Sequence, residues 1–504
     1  MQILLIRYIL VILFGSCMAF AFPPHAVSYI VFVILTLFIF GLQKRFTKSS
    51  FWYGYGFYFG AVVAFIGYWF SSYFHTQLGT GYLLSYALTS IICFYTAFYI
   101  GIICFLYNKL RTGNQFFNLV VLFPSLWVLT ELIRGLFFPR SWYVLGNIVV
   151  NSPFFSGFYP VFGVYFVSWL IVAIAGLICY FFCYQQKSLG GLVKCLCVII
   201  IGVSMSYLLS QIRYTKKFGS PIKVALIQPS VFSTSSLTEQ KLLETEGIIE
   251  KLVTNVNASL IILPETIFGT DSHYLSDGYF DRLKHLTKGR ELIFGSPLSW
   301  PGERHQTGVA NIDNPDHLIY TKHYLVPFGE YIPLQGNPIM DFLVQSIGFS
   351  LKNYIPGAYI QKPMLVNGQK FAFNICYENT INDFVAKNAI AATILINQSD
   401  LSWYGKTVMK DSSLQFSQVR ALENQRYFLQ DGNTGDTVVI NPMGQIEQKI
   451  PAFEEGLIIT SVQGYSGTTP FEFMGNTPIW LLCCLVLLWA ITKKFVKKSK
   501  HFSA

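Results

Sequence analysis

Charge is what this sequence lacks most. Only 12% of its 504 residues are Asp, Glu, Lys or Arg, whereas an ordinary soluble protein has about 25%. The shortage is uneven, because Glu131 is the only carboxylate up to residue 210, while acidic residues are common between Glu239 and Glu455. This composition argues against a soluble multi-domain protein, and 17% aromatic residues argue against disorder. We therefore expect a membrane part and a polar part.

Several motifs are absent as well. The eight histidines have no metal-site spacing, no Gly-x-Ser-x-Gly elbow occurs, and no phosphate-binding glycine loop is present. The formal net charge of +10 lies largely in short loops and the C-terminal tail, so it does not imply nucleic acid as a partner. The sequence predicts neither a metal site nor a soluble cofactor.

Eight apolar stretches approach the roughly 20 residues that a membrane-spanning helix needs. Seven precede the polar part and one follows it. Their approximate bounds are 3–20, 26–42, 51–74, 85–107, 117–138, 160–183, 192–210 and 477–492. The pattern predicts a multi-pass helical bundle over residues 1–212 and a closing helix at 477–492. A cleaved signal peptide also fits the first stretch, but Pro23-Pro24 leads at once into another apolar run, which favours a retained helix.

The basic residues of the short loops predict the orientation of the bundle. They follow the second, fourth, sixth and last stretches: Lys44, Arg45 and Lys48; Lys109 and Arg111; Lys187; and Lys493, Lys494, Lys497, Lys498 and Lys500. Because Lys and Arg concentrate in cytoplasmic loops, we expect both termini in the cytoplasm. The long polar insert then lies on the outer side of the membrane.

One ionisable pair lies inside a predicted span. Glu131 and Arg134 are three residues apart in the fifth stretch, where they share a helix face. Ionisable groups in a span usually face the bundle interior or a cavity. Two interpretations stay open here: a structural pair near the outer interface, and a site that seats a polar lipid headgroup.

The insert has the pattern of an α/β domain. Short β-branched runs alternate with helix-length stretches over residues 220–465, which predicts buried strands and covering helices. The clearest strand candidates are 222–227, 260–263, 291–294, 371–375 and 393–396.

Cys376 is the one cysteine of this insert, because the other nine lie in or beside predicted spans. It has no partner there for a disulfide. It follows a strand candidate and opens a predicted helix at 377–384, whose N-terminus would stabilise a thiolate. Taken alone, this position fits an inert buried cysteine and a nucleophile about equally.

Two further segments favour the interpretation of Cys376 as a nucleophile. Glu265 ends a strand candidate in the string PET at 264–266, and Lys322 lies in the marked segment 320–333. Thiol attack on a carbonyl needs a base, and the oxyanion that forms needs a cation or N–H donors. A carboxylate, a lysine and a cysteine in this chain order resemble the Glu-Lys-Cys set of the nitrilase superfamily.

The resemblance narrows to the apolipoprotein N-acyltransferase family, whose members combine a nitrilase-like domain with a membrane bundle. The matching strings are LVPFGEY at 325–331, ICYE at 375–378, RALE at 420–423, NTG at 433–435, GNTP at 475–478, and LWVLTE at 126–131 with RG at 134–135. Two departures fall in the string NQSDLSWYG at 397–405, which is shorter in the family, and at Asp431-Gly432.

This resemblance implies a fold and a set of roles. The insert is expected to be a nitrilase-like α-β-β-α sandwich. Glu265 is implied as general base, Lys322 as oxyanion stabiliser and Cys376 as nucleophile. Supporting residues are expected at Glu330, Glu378 and Tyr377, the two glutamates by orienting Lys322 and its hydrogen bonds.

The resemblance also implies the reaction. Cys376 takes a fatty acyl chain from the sn-1 ester of a phosphatidylethanolamine-type phospholipid and passes it, from a thioester, to the α-amino group of the N-terminal diacylglyceryl-cysteine of an apolipoprotein. This ping-pong transfer needs no metal or soluble cofactor. The expected setting is a bacterial inner membrane, with both termini cytoplasmic, a periplasmic catalytic domain and a monomeric protein.

Substrate contacts are predicted at Trp142, Trp403, Phe342 and Phe349. Phe342 and Phe349 belong to an apolar segment at 342–349, which fits a mobile arm that dips into lipid as well as it fits an ordinary core helix. Two rival functions remain for the whole chain: a membrane-tethered amidase that uses the same three residues with water as acceptor, and a scaffold whose nitrilase-like domain is inactive.

Overall fold

The computed structural model describes residues 2–137, 142–185, 188–231, 238–270, 274–300, 304–332, 334–346 and 353–502. The chain forms two compact units. One contains Met1–Ser72, Gly81–Ile212 and Met474–Ala504, and the other contains Tyr73–Thr80 and Arg213–Phe473. The sequence suggested separate segments at 1–212 and 220–465, but it did not indicate that eight residues near the end of the third helix group with the second unit.

The first unit is helical. Its helices are α1 (Gln2–Ser16), α2 (Ile30–Gln43), α3 (Thr47–Leu78), α4 (Tyr82–Leu110), α5 (Gln115–Phe117), α6 (Phe123–Leu136), α7 (Tyr159–Tyr180), α8 (Leu189–Ser210) and α15 (Thr477–Phe502). A π-helical turn joins α5 to α6. Within the described residues, six helices are long and apolar enough to cross a membrane, and two shorter apolar helices occupy Ile6–Ala21 and Ile30–Gln43. The predicted helical bundle is confirmed, and each of the eight predicted stretches contains a helix.

Small residues let the helices of this unit approach one another closely. A Cβ atom at Gly15 would overlap the carbonyl group of Phe57, and one at Gly60 would overlap that of Ile12. Glycine therefore brings α1 against α3 backbone to backbone, as is common in membrane helix pairs.

The ionisable pair of α6 binds backbone and indole groups. Glu131 Oε1 accepts hydrogen bonds from Trp127 Nε1 at 3.1 Å and from the Leu145 N–H at 3.3 Å. Arg134 donates to the Tyr143 carbonyl oxygen at 2.8 Å. Both side chains are buried. This geometry favours the structural interpretation of the pair, because the two side chains fasten residues 143–145 to α6.

The second unit is built on two mixed sheets. Their strands are β1 (Thr215–Gln228), β2 (Leu260–Ile262), β3 (Glu291–Trp300), β4 (Arg304–Asn311), β5 (Asn314–Thr321), β6 (Asn353–Tyr354), β7 (Met364–Val366), β8 (Gln369–Ile375), β9 (Ile394–Ser399), β10 (Phe428–Gly432), β11 (Thr437–Ile440), β12 (Ile446–Ile450) and β13 (Gly456–Gly467). The first sheet has the order β13-β1-β2-β3-β4-β5, with β6 paired to β4, and the second has the order β12-β11-β10-β9-β8-β7. Parallel pairing at the centre of each sheet explains the continuous apolar runs.

Helices cover both sheets. They are α9 (Glu239–Val253), α10 (Tyr279–Thr287), α11 (Pro338–Ser346), α12 (Asn382–Ala389), α13 (Met409–Asn424) and α14 (Pro470–Met474). Apolar residues of α9 and α10 form one core with strands β1 to β3, while α12 and α13 pack on β8 and β10 of the other sheet. Strand β1 also packs on β8 and β10, so the sheets face each other. The predicted α-β-β-α sandwich is confirmed.

Candidate active site

Three separate segments of the second unit bring the predicted catalytic residues together. Glu265 follows β2, Lys322 follows β5, and Cys376 follows β8 directly. The first two side chains are almost completely buried, with Glu265 5% and Lys322 1% exposed. The sequence prediction that these residues meet is consistent with this geometry, because Lys322 contacts Glu265 and the Glu265 carboxylate is near enough to the Cys376 thiol to raise its pKa.

Lys322 lies between two carboxylates. Its Nζ atom is 2.9 Å from Glu265 Oε1 and 2.9 Å from Glu330 Oε1. Burial alone would lower the pKa of Lys322, but the two carboxylates outweigh it and hold that pKa well above its usual value. The side chain is therefore a cation at neutral pH. Since an ammonium group has three N–H donors, one of them is left for an oxyanion.

Cys376 occupies a strained turn between β8 and a 3₁₀ helix at Cys376–Thr380. Its φ angle is +50°, a region that residues other than glycine rarely adopt and that is often found at functional sites. Burial raises the pKa of the Cys376 thiol well above its usual value, the Glu265 carboxylate raises it further, and Lys322 opposes the shift. The resting group is a thiol.

The helix predicted after Cys376, whose N-terminus would stabilise a thiolate, is shorter than expected. The predicted helix at 377–384 is a single 3₁₀ turn that ends at Thr380, and the α-helix begins only at Asn382. So short a turn has little dipole, and the negative charge of Glu265 disfavours a second anion beside it. Cys376 accordingly needs a base at the moment of attack, and the Glu265 carboxylate is near it.

Glu330 belongs to the loop that carries the string LVPFGEY. Its Oε2 atom accepts a hydrogen bond from the Val326 N–H at 2.7 Å, while Oε1 contacts Lys322. Burial raises the pKa of Glu330, and Lys322 opposes this shift. The loop thus closes on itself and presents one carboxylate oxygen to the lysine, in agreement with the supporting role expected from the sequence.

Glu378 binds backbone N–H groups on both sides of the site. It accepts four hydrogen bonds: Oε1 accepts from the His323 and Tyr324 N–H groups at 2.7 and 3.0 Å, and Oε2 from the Ile375 N–H and the Tyr320 hydroxyl at 2.7 Å each. Burial raises its pKa to about 7, although these hydrogen bonds oppose the shift. Glu378 therefore joins the chain after Lys322 to the strand before Cys376, and it orients the lysine through the backbone.

The string at 397–405, where the sequence departs from the family, also supports the site. The Asp400 N–H donates to Glu265 Oε2 at 2.9 Å, and Asn397 donates to the Cys376 carbonyl oxygen at 3.3 Å. Tyr404 in this string is buried, and its hydroxyl is within electrostatic range of Cys376 and Glu265. Sequence reasoning selected its neighbour Trp403 and missed Tyr404.

The remaining supporting residue, Tyr377, and the four predicted substrate contacts are spread over the molecule. Tyr377 is buried beside Cys376, and Trp403 is partly exposed. Phe342 lies in α11 with 68% of its surface exposed, whereas Phe349 lies outside the described residues. Trp142 belongs to the helical unit, where it is buried and stacks on Trp69 with ring centroids 4.4 Å apart. The substrate contacts of these residues stay predictions.

The arrangement is that of a thiol acyl-transfer site. A buried thiol, a carboxylate near it and a lysine with a free N–H can form and break an acyl thioester without further groups. Across the described parts of the chain, no group of three His, Cys, Asp or Glu side chains is placed to hold a metal ion.

Comparison with known proteins identifies the superfamily and then the family. Residues 223–471 match the family model for carbon-nitrogen hydrolases, so this unit is a member of that class of enzymes. Residues 14–177 match the model for the apolipoprotein N-acyltransferase N-terminal domain. A solved amidase of the nitrilase superfamily, from Nesterenkonia, is 18% identical and covers 49% of this chain and 92% of its own, with a TM-score of 0.35.

Curated relatives extend over almost the whole chain. An apolipoprotein N-acyltransferase of Chromobacterium violaceum is 29% identical over 99% of this chain and 96% of its own length. The enzyme of that name from Nitrosomonas europaea is 30% identical over 75% of each chain, and one from Neisseria meningitidis serogroup B is 29% identical over 98% of this chain and 97% of its own. The chain belongs to the apolipoprotein N-acyltransferase family.

Proposed function

We propose that this chain transfers a fatty acyl group from a membrane phospholipid to the α-amino group of the N-terminal diacylglyceryl-cysteine of apolipoproteins. The observation that carries the proposal is the buried contact of Glu265 and Lys322 beside the Cys376 thiol, in a chain that belongs to the apolipoprotein N-acyltransferase family. Both substrates are lipid-anchored, and the apolar helices of the first unit would hold the enzyme in the same membrane.

The first half-reaction acylates the enzyme. Glu265 takes the proton of the Cys376 thiol while Sγ attacks the ester carbonyl of the phospholipid, and the oxyanion is stabilised by Lys322. When the tetrahedral intermediate collapses, the ester C–O bond breaks and Glu265 returns the proton to the departing alkoxide. A lysophospholipid leaves, and the acyl group remains as a thioester on Cys376.

The second half-reaction releases the acyl group. The α-amino group of the acceptor attacks the thioester, and Glu265 takes a proton from the attacking nitrogen. The C–S bond breaks, the Cys376 sulfur regains a proton, and an N-acylated lipoprotein leaves. Because one thiol serves two substrates in turn, the kinetics are ping-pong.

The proposal includes a location and partners. The bundle lies in a bacterial inner membrane with both termini in the cytoplasm and the catalytic unit in the periplasm. Support comes from the basic residues at or near the C-terminal ends of α2, α4 and α15. The donor is a phosphatidylethanolamine-type phospholipid, the acceptor is a diacylglyceryl-apolipoprotein, and the enzyme acts as a monomer.

A transfer assay tests this function. Purified enzyme in detergent is mixed with phosphatidylethanolamine and a synthetic diacylglyceryl-cysteine peptide, and both products are measured by mass spectrometry. We expect one acyl group on the peptide for each lysophospholipid released, and neither product with the Cys376→Ala variant. A peptide whose α-amino group is acetylated is the control acceptor. Release of free fatty acid without acylated peptide would instead support the amidase-type alternative, in which water is the acceptor.

A further inference from the structure

The last part of α3 belongs structurally to the catalytic unit. Residues Tyr73–Thr80, here called the helix-end segment, group with Arg213–Phe473. The Tyr73 ring stacks on Tyr404 with ring centroids 5.3 Å apart and an interplanar angle of 23°. The Thr76 hydroxyl donates to the Trp403 carbonyl oxygen at 3.1 Å. The segment is thus held against the 3₁₀ turn at Ser402–Tyr404, beside the base Glu265.

Tyr73 brings a buried hydroxyl that has no hydrogen-bond partner among the described residues. The whole residue is only 6% exposed. A buried phenol normally has a partner for its O–H. The Tyr73 hydroxyl is therefore a candidate hydrogen-bond donor to a bound substrate.

Gly329 makes the room for this hydroxyl. A Cβ atom at Gly329 would lie 2.7 Å from Tyr73 Oη, closer than real Cβ contacts allow, whereas its next contacts would be 3.3 and 3.5 Å to Val326. Any other residue at position 329 would displace the hydroxyl. Gly329 immediately precedes Glu330, so the hydroxyl lies over the loop that holds Lys322.

The charged neighbours of Tyr73 are the catalytic groups themselves. Its hydroxyl is within electrostatic range of Glu330, Lys322 and Cys376. The two oxygens of Glu330 are already occupied, one by Lys322 and the other by the Val326 N–H. The Tyr73 O–H consequently remains available to a substrate oxygen in the space around Cys376.

We propose that Tyr73 binds the acyl donor by donating a hydrogen bond to the carbonyl oxygen of the scissile ester, as a second donor beside Lys322. This inference rests on the proposed function, since it needs an ester in the site. Tyr73 keeps its proton throughout, and the bonds that form and break are those of the first half-reaction. Because the oxygen gains charge during attack, the hydrogen bond strengthens in the transition state and acts on the acylation rate more than on donor affinity.

The first experiment compares wild type with Tyr73→Phe in single-turnover acylation by phosphatidylethanolamine, followed as lysophospholipid release. We expect the maximal acylation rate to fall about 10- to 100-fold, while the donor concentration at half-saturation changes little. The rate of Cys376 alkylation by iodoacetamide, read at the Cys376 peptide, should not change, because this substitution reaction forms no oxyanion. Slower alkylation by the same factor would show a merely structural effect and overturn the proposal.

A matched control removes a similar hydroxyl elsewhere. Tyr143 is also buried with an unpartnered Oη atom in the described structure, but it belongs to the helical unit and its charged neighbours there are Arg134 and Glu131. Tyr143→Phe should acylate at the wild-type rate. An equal loss in both variants would contradict a specific role for Tyr73.

A double-mutant cycle tests the geometry. Gly329→Ala should slow acylation about as much as Tyr73→Phe, because the new methyl group displaces the hydroxyl. Adding Gly329→Ala to Tyr73→Phe should cost little more, since the nearest remaining contact of the methyl group is Val326. Multiplicative losses in the double variant would overturn the assignment. Failure of the proposed function is recognised separately, because wild type would then release no lysophospholipid, or would release it with free fatty acid and without acylated peptide.

Discussion

The two units bury ionisable groups in opposite ways. In the helical unit, Glu131 and Arg134 form hydrogen bonds with indole and backbone partners, which fastens residues 143–145 to α6. In the α/β unit, Lys322 instead forms ion pairs with Glu265 and Glu330 beside the Cys376 thiol. Burial is expensive in both places. The comparison teaches that the partner of a buried charge, more than its burial, separates a structural clamp from a reactive centre.

The largest expected effect is that of Lys322→Met. This change removes the cation but keeps an unbranched side chain, so Glu265 and Glu330 are left as neighbouring buried carboxylates. We expect acylation to fall by a factor on the order of 1,000 and the protein to lose about 3–5 kcal/mol of stability. Lysophospholipid release and thermal unfolding in detergent measure the two effects. Near-wild-type acylation would remove Lys322 from the reaction.

Loss of the Glu131 carboxylate in the helical unit should reduce stability without slowing acylation. Glu131→Ala leaves Trp127 Nε1 and the Leu145 N–H without an acceptor and Arg134 without its nearby anion, which should cost about 3 kcal/mol. Protein that still folds should acylate at the wild-type rate per folded molecule. Glu131→Gln is the matched control, since its amide oxygen keeps both hydrogen bonds. A tenfold loss of the acylation rate in folded Glu131→Ala would revive the lipid-headgroup interpretation.

In the α/β unit, Glu330→Gln should slow acylation clearly while reducing stability only a little. The amide oxygen still accepts from Lys322, but the amide nitrogen cannot accept from the Val326 N–H, so we expect a loss of about 1–2 kcal/mol of stability, less than for Glu131→Ala. Acylation should slow about tenfold, because half of the negative charge that holds Lys322 in place is lost. Steady-state kinetics and thermal unfolding together test this split. Loss of stability without loss of rate would make Glu330 a clamp like Glu131.

The smallest effect concerns pH. Because burial and Glu265 raise the pKa of the Cys376 thiol above its ordinary value of 9.0, the thiolate fraction should still be increasing at pH 9. We therefore expect the iodoacetamide alkylation rate of Cys376 to increase up to pH 9 without a plateau. A plateau below pH 7 would reveal a preformed thiolate and contradict general-base activation by Glu265.

Short-range patterns predict much of this molecule. The apolar runs locate eight apolar helices to within a few residues, six of which, among the described residues, are long enough to cross a membrane. The β-branched runs locate strands β1, β2, β3, β8 and β9. The strings around Glu265, Lys322 and Cys376 identify residues that the fold brings together, because each one follows a strand.

The remaining features depend on tertiary contacts. The hydrogen bonds of Glu378 could not be read from the sequence, because three of its four donors come from the distant segment at 320–324. Tyr73 lies in an apolar helix and has no local signal, and its importance arises only where it meets Gly329 and Tyr404. The sequence likewise did not indicate that Trp142, a predicted substrate contact, stacks on Trp69.

The central claim is that Cys376 carries the acyl group. Intact-protein mass spectrometry after mixing the enzyme with phospholipid alone tests it most directly, with Cys376→Ala beside wild type. We predict a mass increase of one fatty acyl group in wild type only, which hydroxylamine removes because the bond is a thioester. An unmodified wild-type protein, shown to be folded and freshly mixed with donor, would contradict the account, as would an equal adduct on Cys376→Ala.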